Sequence, residues 1–416
     1  MQALKNYSLK VISSGFLPVF FANIFSYFVA FCGSVFYARL LGTYEFGIYS
    51  FAYNIISFFL LVNGFGAASG VLQFVSRAKD SATQLSYLKY SITLGISFNC
   101  LLSIIIFIYA MCTNLPLPGM RHILIAMAFF PIGRLYIDVF QSYLRASGQN
   151  QLFAKFAISS NSIILILNVL GIYVAGLVGL VFATYLSYVS VILMATMVYK
   201  LPNIFRIKRL ALDKKEFVSY SVYATVGNAF AQILFILDIL ILGYIIKDAR
   251  VVAIYKIATI IPFALNFIPG IISIFFYPDF AKNTHDLVYV KQLHQKIQRG
   301  MLVFSILVSL VLIIIAKPLI IFIFGPEYIK SVPPFQILTF GFWIVATFRT
   351  INGNILASLG KARVAMKINL FIVFINISLT YILVTYYGII GAAIGVVAIY
   401  ILASIIASYV LHKVLN

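Results

Sequence analysis

Charged residues are scarce in this sequence, and acidic residues are the scarcest of them. Only 10% of the 416 residues are charged, whereas 63% are hydrophobic, and the mean hydropathy is +1.05. A soluble protein of this length needs a charged surface, so lipid must be the solvent for most of this chain. The composition therefore excludes an ordinary soluble enzyme or binding domain.

Cysteine and histidine are also rare. The three cysteines lie in apolar stretches, and their spacing fits neither a disulfide nor a metal site: Cys32, Cys100 and Cys112. The four histidines lie at segment ends or in loops: His122, His285, His294 and His412. We therefore predict no metal site, no catalytic residue and no cofactor.

Apolar stretches of about twenty residues recur along the whole chain. They must be helical, because an open strand cannot satisfy its backbone hydrogen bonds in lipid. We predict an all-α polytopic membrane protein of about twelve transmembrane helices. The predicted spans are 14–38, 46–66, 91–112, 122–143, 152–172, 176–199, 217–246, 251–277, 300–325, 333–358, 367–387 and 388–411. The first span is too long for a signal-peptide core, so we expect it to be retained.

The distribution of basic residues predicts the orientation of these spans. With both termini in the cytoplasm, 21 of the 30 Lys and Arg residues fall on the cytoplasmic side, seven on the opposite side and two within spans. Cytoplasmic loops of membrane proteins carry such an excess of Lys and Arg. We therefore predict cytoplasmic N- and C-termini.

The net charge of +20 does not predict nucleic-acid binding. Nucleic-acid binding needs a basic face on a folded domain, whereas this charge is spread over loops beside anionic lipid headgroups. The densest basic run lies in residues 200–216, between the sixth and seventh spans. We interpret it as a cytoplasmic linker.

The linker divides the chain into two halves that resemble each other. At a fixed offset of 212 residues, five identities align: Gly148 with Gly360, Lys155 with Lys367, Gly176 with Gly388, Gly179 with Gly391, and Tyr188 with Tyr400. Each half has six helices, and because six is an even number the two repeats have the same orientation in the membrane. This predicts two bundles, 1–199 and 217–416, around a central cavity. Such bundles are typical of transporters that work by alternating access.

Three charged side chains lie deep within the predicted spans. Arg134 and Asp138 share a stripe of the fourth span, and Arg349 lies at a similar depth in the tenth. A charge at the bilayer centre costs roughly 2.5–3.5 kcal/mol on insertion scales, so each needs a reason. Arg134 could pair with Asp138, and Arg349 with a helix-end dipole. Alternatively, both arginines face the cavity and bind an anionic group such as phosphate.

The seventh span carries a stripe of uncharged polar residues: Ser221, Thr225, Asn228 and Gln232. Such residues either hold helices together or bind the hydroxyls of a sugar. Asp238 lies off this stripe, and its distance along the chain from Lys256 places both at one depth of a helical hairpin. Asp138 and Asp238 are accordingly interpreted either as members of structural ion pairs or as sites of ion coupling.

Three stretches of the sequence resemble a known family. They are Ala38-Arg-Leu-Leu-Gly-Thr-Tyr-Glu-Phe-Gly-Ile-Tyr49, Lys317-Pro-Leu-Ile-Ile-Phe-Ile-Phe-Gly-Pro-Glu-Tyr328, and Asn354-Ile-Leu-Ala-Ser-Leu-Gly-Lys361 followed by Gly388-Ile-Ile-Gly-Ala-Ala-Ile-Gly395. Their order and spacing are similar to those of bacterial polysaccharide (O-antigen) flippases of the Wzx type. These flippases belong to the multidrug/oligosaccharidyl-lipid/polysaccharide (MOP) exporter superfamily.

The resemblance implies a function in the bacterial inner membrane. It implies translocation of an undecaprenyl-diphosphate-linked oligosaccharide from the cytoplasmic to the periplasmic leaflet, driven by a proton or sodium gradient. Membrane lipids, a polymerase and a chain-length regulator are the further partners that it suggests. Our candidates for a cationic substrate cavity are Arg39, Arg134, Arg349 and Lys256, with Asn228 and Gln232 as polar contacts.

Two alternatives from other classes stay open. One is an exporter of drugs or small metabolites with the same fold, and a lipid II flippase is a closely related interpretation. The other is a membrane-embedded O-antigen polymerase. Such enzymes usually have a large external loop bearing carboxylates or histidines, whereas the external loops here hold only Glu45, Asp248 and Glu327 among carboxylates.

Overall fold

The computed structural model describes residues 16–199 and 212–415, and every regular element in these residues is helical. The helices are α1 (Phe16–Leu60), α2 (Ala67–Arg77), α3 (Ser81–Cys112), α4 (Met120–Met127), α5 (Phe130–Ala146), α6 (Asn150–Met197), α7 (Lys214–Gln232), α8 (Leu237–Ile246), α9 (Ala249–Ala264), α10 (Phe267–Lys282), α11 (Leu287–Ile314), α12 (Ala316–Phe324), α13 (Val332–Ile344), α14 (Ile351–Ser358) and α15 (Ala362–Leu415). Short 3-10 turns occupy Asn63–Gly66, Ile233–Phe235 and Pro326–Ser331, and a π-helical turn occupies Val345–Thr350. The predicted all-α architecture is confirmed.

Three helices are too long to cross a bilayer once. Helices α1, α6 and α15 contain 45, 48 and 54 residues. Straight helices of this length would measure roughly 70–80 Å, against about 30 Å for the hydrocarbon core. Each helix is interrupted by non-helical backbone at a glycine: Gly42, Gly176 and Gly388.

Within the described residues, seven helices are long and apolar enough to cross a membrane, or up to nine if each bent pair counts as one span. With each bent pair counted as one span, dividing α1, α6 and α15 at their glycine breaks turns these nine spans into the twelve predicted segments. The protein is therefore a polytopic helical membrane protein.

Several predicted span boundaries are wrong because the hydropathy pattern does not detect the polar first turns of these helices. The third span begins at Ser81 rather than 91, since Asp80 caps it by accepting the Thr83 N–H at 2.7 Å. This bond lowers the pKa of Asp80. The ninth span likewise begins at Leu287, where Asp286 accepts the Tyr289 N–H at 2.9 Å. The second span does not end at 66 but resumes as α2 after a break.

The internal repeat predicted from five identities is present in the backbone. Gly148 and Gly360 both have φ of 75°, and the N–H of each donates at 3.1 Å to the carbonyl three residues earlier. Gly176 and Gly388 share φ of 55° and 56°, with ψ of −137° and −130°. The two halves therefore turn at equivalent positions with the same geometry.

The glycines that follow these breaks show that the chain reverses there. A Cβ at Gly179 would collide with the carbonyl oxygen of Gly171, and one at Gly391 with that of Leu383. Residues eight apart in a straight helix are separated by about 12 Å, so these contacts require tight hairpins. The hairpins predicted between the fifth and sixth spans and between the eleventh and twelfth are confirmed.

Contacts divide the described residues into two compact units. The first unit comprises 16–41, 55–199 and 212–229, and the second comprises 42–54 and 230–415. Part of α1 thus belongs to the second unit and most of α7 to the first. The predicted bundles, 1–199 and 217–416, did not include this exchange and stay a prediction. Residues 200–211 of the predicted basic linker lie outside the described residues.

Replacing Gly391 by alanine should destabilise the second unit. The added Cβ would meet the backbone of Leu383, which cannot move as a side chain can. We expect a loss of about 1–3 kcal/mol in the free energy of unfolding, as for other overpacked sites. Thermal unfolding of the detergent-solubilised protein measures this loss.

The matched control is Gly300→Ala, because a Cβ at that helical position would meet no described atom within 4 Å apart from the neighbouring backbone of its own helix. This variant should be as stable as the wild type or slightly more so, since alanine favours helix. Equal stability of the two variants would contradict the tight hairpin at Gly388.

Candidate functional site

Two of the predicted site residues form an ion pair on α5. Arg134 and Asp138 lie one helical turn apart, and Nε of Arg134 is 3.0 Å from Oδ1 of Asp138. The two side chains are 44% and 27% exposed, respectively. The structure therefore has the helix-internal pair that the sequence offered as one of two interpretations of Arg134.

Two asparagines extend this pair into a polar network. Asn63 donates from Nδ2 to Oδ2 of Asp138 at 3.0 Å, and Asn99 donates from Nδ2 to Oδ1 of Asn63 at 2.7 Å. Asn99 also donates to the Pro131 carbonyl at 2.7 Å and accepts the Gly64 N–H at 2.8 Å. Neither asparagine was among the predicted site residues, although an isolated amide in an apolar span was a signal for each.

The network ends at a strained break between α1 and α2. Gly64, Phe65 and Gly66 have φ of 55°, 54° and 78°, so three successive residues are left-handed. For Phe65 this conformation costs roughly 1–2 kcal/mol, because the Cβ crowds the following carbonyl. The Asn99 side chain supplies the acceptor that the Gly64 N–H lacks outside a helix.

The polar stripe of the seventh span divides into a packed part and an exposed part. Ser221 and Thr225 are 0% and 8% exposed and lie against Gly66 and Gly70 of the second span. Asn228 and Gln232 are exposed. The first pair therefore packs helices together, and only the second pair remains accessible to a ligand.

Asp238 is fully buried at the start of α8. Its carboxylate accepts the Tyr255 hydroxyl at 2.8 Å and the Ile239 N–H at 2.9 Å. Ile236 lies two residues before Asp238, at the point where the 3-10 turn interrupts the helix. Its carbonyl accepts a hydrogen bond from Nδ2 of Asn54 at 2.8 Å. A polar cluster therefore surrounds the break between α7 and α8.

The ion pair predicted as one interpretation of Asp238 and Lys256 is absent. Neither residue has a partner of opposite charge within 4.0 Å in the described part of the chain, although an electrostatic interaction links the two. Lys256 is half-buried, and the neighbouring Tyr255 donates to the Asp238 carboxylate instead. The side chains of adjacent helical residues point about 100° apart. Depth in the membrane therefore could not show whether Tyr255 or Lys256 faces Asp238.

Arg349 lies on the π-helical turn between α13 and α14. It is half-buried, and its guanidinium carbon lies 6.0 Å from the ring centroid of Tyr400. No carboxylate of the described residues lies within ion-pair distance of Arg349. The Tyr400 side chain is 3% exposed, and its hydroxyl has no hydrogen-bond partner in the same residues. A π-helical turn like the one that carries Arg349 is rare, and such turns are often found at functional sites.

The remaining candidate, Arg39, is exposed on α1 shortly before the break at Gly42. The structure thus brings Arg134 and Asp138 together in the first unit, and it places Asp238 and Arg349 in the second. A cavity shared by the two arginines stays a prediction. No group of three or more metal-ligating side chains occurs in the described residues.

Repeated helical units with charged residues inside the spans are features typical of multi-pass membrane transporters. The chain is similar to an inward-facing multidrug resistance MATE family transporter of the MOP superfamily, with a TM-score of 0.78 and 11% identity over 94% of each chain. It is also similar to the Vibrio cholerae MATE transporter VcmN in the bent form, with a TM-score of 0.65 and 16% identity. That match covers 98% of this chain and 97% of VcmN. These likenesses show the MOP fold alone.

The family follows from the sequence match. The family model for polysaccharide biosynthesis proteins matches residues 13–284, more than half of the chain. The chain belongs to this family, and the resemblance found in its sequence motifs is confirmed at the level of family and superfamily. An uncharacterized membrane protein of Methanocaldococcus jannaschii, MJ1068, is 30% identical over 206 residues, which are 48% of this chain and 39% of that protein.

Removing the Tyr255 hydroxyl should destabilise the second unit. In Tyr255→Phe, Oδ2 of the buried Asp238 loses its side-chain donor. An unsatisfied buried polar group costs about 1–3 kcal/mol, and more when it is charged. Thermal unfolding in nanodiscs measures this loss. The control is Tyr277→Phe, because the exposed Tyr277 side chain donates to the Ala357 carbonyl at a distance of 3.5 Å. A Tyr255→Phe variant that is as stable as the wild type would contradict the described hydrogen bond.

Proposed function

We propose that this protein carries a lipid-linked oligosaccharide across the bacterial inner membrane and that Arg349 binds the diphosphate of this substrate. The cargo is an undecaprenyl-diphosphate-linked repeat unit, moved from the cytoplasmic to the periplasmic leaflet by alternating access. The observation that carries the proposal is Arg349, which lies within a helical span of a polysaccharide biosynthesis family member and has no described carboxylate within ion-pair distance.

The charge of Arg349 is costly inside a membrane span. A guanidinium stays protonated at every physiological pH, so Arg349 cannot lower its energy by losing a proton. Its described partner is a ring, and a cation–π contact is worth about 0.5–2 kcal/mol, less than insertion costs. An anion with several oxygens makes up the difference, because the planar donors of arginine fork onto phosphate oxygens.

The other candidate residues fit the same substrate. Asn228 and Gln232 offer exposed amides to sugar hydroxyls, and Arg39 and Lys256 supply further positive charge. Asp138 and Asp238 are carboxylates inside the predicted fourth and seventh spans, which makes them candidates for coupling to a proton or sodium gradient. A polymerase and a chain-length regulator are the proposed protein partners, and both termini are proposed to lie in the cytoplasm.

A second candidate function is export of small molecules. The similar solved structures include a multidrug resistance transporter, and the fold alone supports that activity equally. The charges separate the two functions, because cationic drugs favour an acidic or aromatic cavity, whereas Arg349 favours an anion. Drug susceptibility of cells lacking the gene is the discriminating observation.

Deletion of the gene tests the proposed function. We expect lipid-linked oligosaccharide to accumulate on the cytoplasmic face of the inner membrane, with loss of surface polysaccharide, because transfer between leaflets is blocked. The intact gene should reverse both effects. Full-length surface polysaccharide in a deletion strain without a redundant flippase, together with increased drug sensitivity, would favour the exporter.

Replacement of Arg349 tests the site separately. Arg349→Ala should reduce surface polysaccharide at least tenfold in the complemented deletion strain, since the diphosphate loses its charged donor. Arg349→Lys should retain part of the activity, because lysine keeps the charge without the planar fork. Arg250→Ala, an exposed arginine of the same unit, is the control. Wild-type polysaccharide from a stable, inserted Arg349→Ala would refute the site.

A further inference from the structure

A continuous chain of hydrogen bonds joins the Arg134–Asp138 pair to the break at Asn63–Gly66. It runs from Asp138 through the side chains of Asn63 and Asn99 to the Gly64 N–H, with contacts between 2.7 and 3.0 Å. All members lie in the first unit. A charged pair and a backbone interruption are thus connected by two amides.

The donors and acceptors of this chain can be arranged in only one direction. The Gly64 N–H can only donate, so it fixes Oδ1 of Asn99 as its acceptor. Nδ2 of Asn99 must then serve the Pro131 carbonyl and Oδ1 of Asn63, which turns Nδ2 of Asn63 towards Asp138. The chain therefore needs an acceptor at its end, and the carboxylate of Asp138 is that acceptor.

Close packing transmits movement along the same path. Asn99 is 0% exposed, and the backbones of Gly64 and Gly95 both lie against the Leu135 side chain of α5. A Cβ at Gly64 would collide with Leu135. Tightly packed interiors have low compressibility and transmit strain, so a shift of α5 would press on the break through Leu135.

We propose that Asn63 and Asn99 are positioning residues that couple the occupancy of Arg134 to the conformation of the second span. An anion that draws Arg134 away from Asp138 leaves Asn63 as the described partner of this carboxylate, which is then free to turn. As the carboxylate turns, the amides of Asn63 and Asn99 turn with it, the Gly64 N–H loses its acceptor, and the strained break changes its angle. This inference rests on the proposed function, in which the substrate carries a diphosphate.

Distance measurements between two spin labels test the coupling in the full-length protein. In a functional background with Cys32, Cys100 and Cys112 replaced by serine, labels at Leu72→Cys and Leu101→Cys report the position of α2 relative to α3. Both positions are exposed, at 39% and 54%. The probe is undecaprenyl diphosphate added to nanodiscs, and its binding is measured independently by native mass spectrometry.

In the unmodified network, the probe should shift the distance distribution between the labels. Asn99→Ala should bind the probe within threefold of the wild-type affinity yet lose at least half of the shifted population. Asn63→Ala, at a half-buried position, should behave in the same way and serves if Asn99→Ala does not fold. Asn161→Ala removes an amide of the same unit that bonds to Ser26 instead, so the full shift should persist.

The outcomes separate this inference from the proposed function. If the probe binds and shifts the labels equally in both asparagine variants and in the wild type, the coupling is refuted while the proposed function stands. If the wild type does not bind the probe at all, the diphosphate assignment fails and the coupling fails with it. Loss of the shift in Asn161→Ala as well would also refute a specific role for Asn63 and Asn99.

Discussion

In lipid, a backbone amide or carbonyl that leaves a helix finds no water to bind, so a helix break within a span needs another hydrogen-bond partner. Two asparagine side chains meet this need at two helix breaks. Asn99 accepts the Gly64 N–H in the first unit, and Asn54 donates to the Ile236 carbonyl in the second. The breaks can exist inside the spans because these amides replace water. The same amides bring polar groups next to the mid-span carboxylates Asp138 and Asp238.

The two units have the same backbone geometry at their glycine turns but differ in the surroundings of their mid-span arginines. Their glycine turns at Gly148 and Gly360 have the same φ, yet their mid-span arginines differ. Asp138 neutralises Arg134 in this conformation, whereas no carboxylate of the described residues lies within ion-pair distance of Arg349. That asymmetry supports an anionic substrate, while the repeated backbone supports only the transporter fold.

Local periodicity explains which features could be predicted from the sequence. Glycines at a fixed offset located the turns at Gly176 and Gly388, and the four-residue spacing of Arg134 and Asp138 anticipated their contact. Contacts between distant segments were different. The approach of Asn99 to Asn63, and of Tyr255 to Asp238, depends on how helices rotate against each other. Depth in the membrane, which the sequence does indicate, leaves that rotation undetermined.

Transport by the purified protein tests the central claim most directly. Proteoliposomes would contain a fluorescent undecaprenyl-diphosphate oligosaccharide in both leaflets, and a membrane-impermeant reductant would quench the fluorophores that reach the outer leaflet. The account predicts that protein makes the protected half of the lipid accessible, and that Arg349→Ala slows this exposure at least tenfold. Equal protection with and without a correctly folded wild-type protein would contradict it.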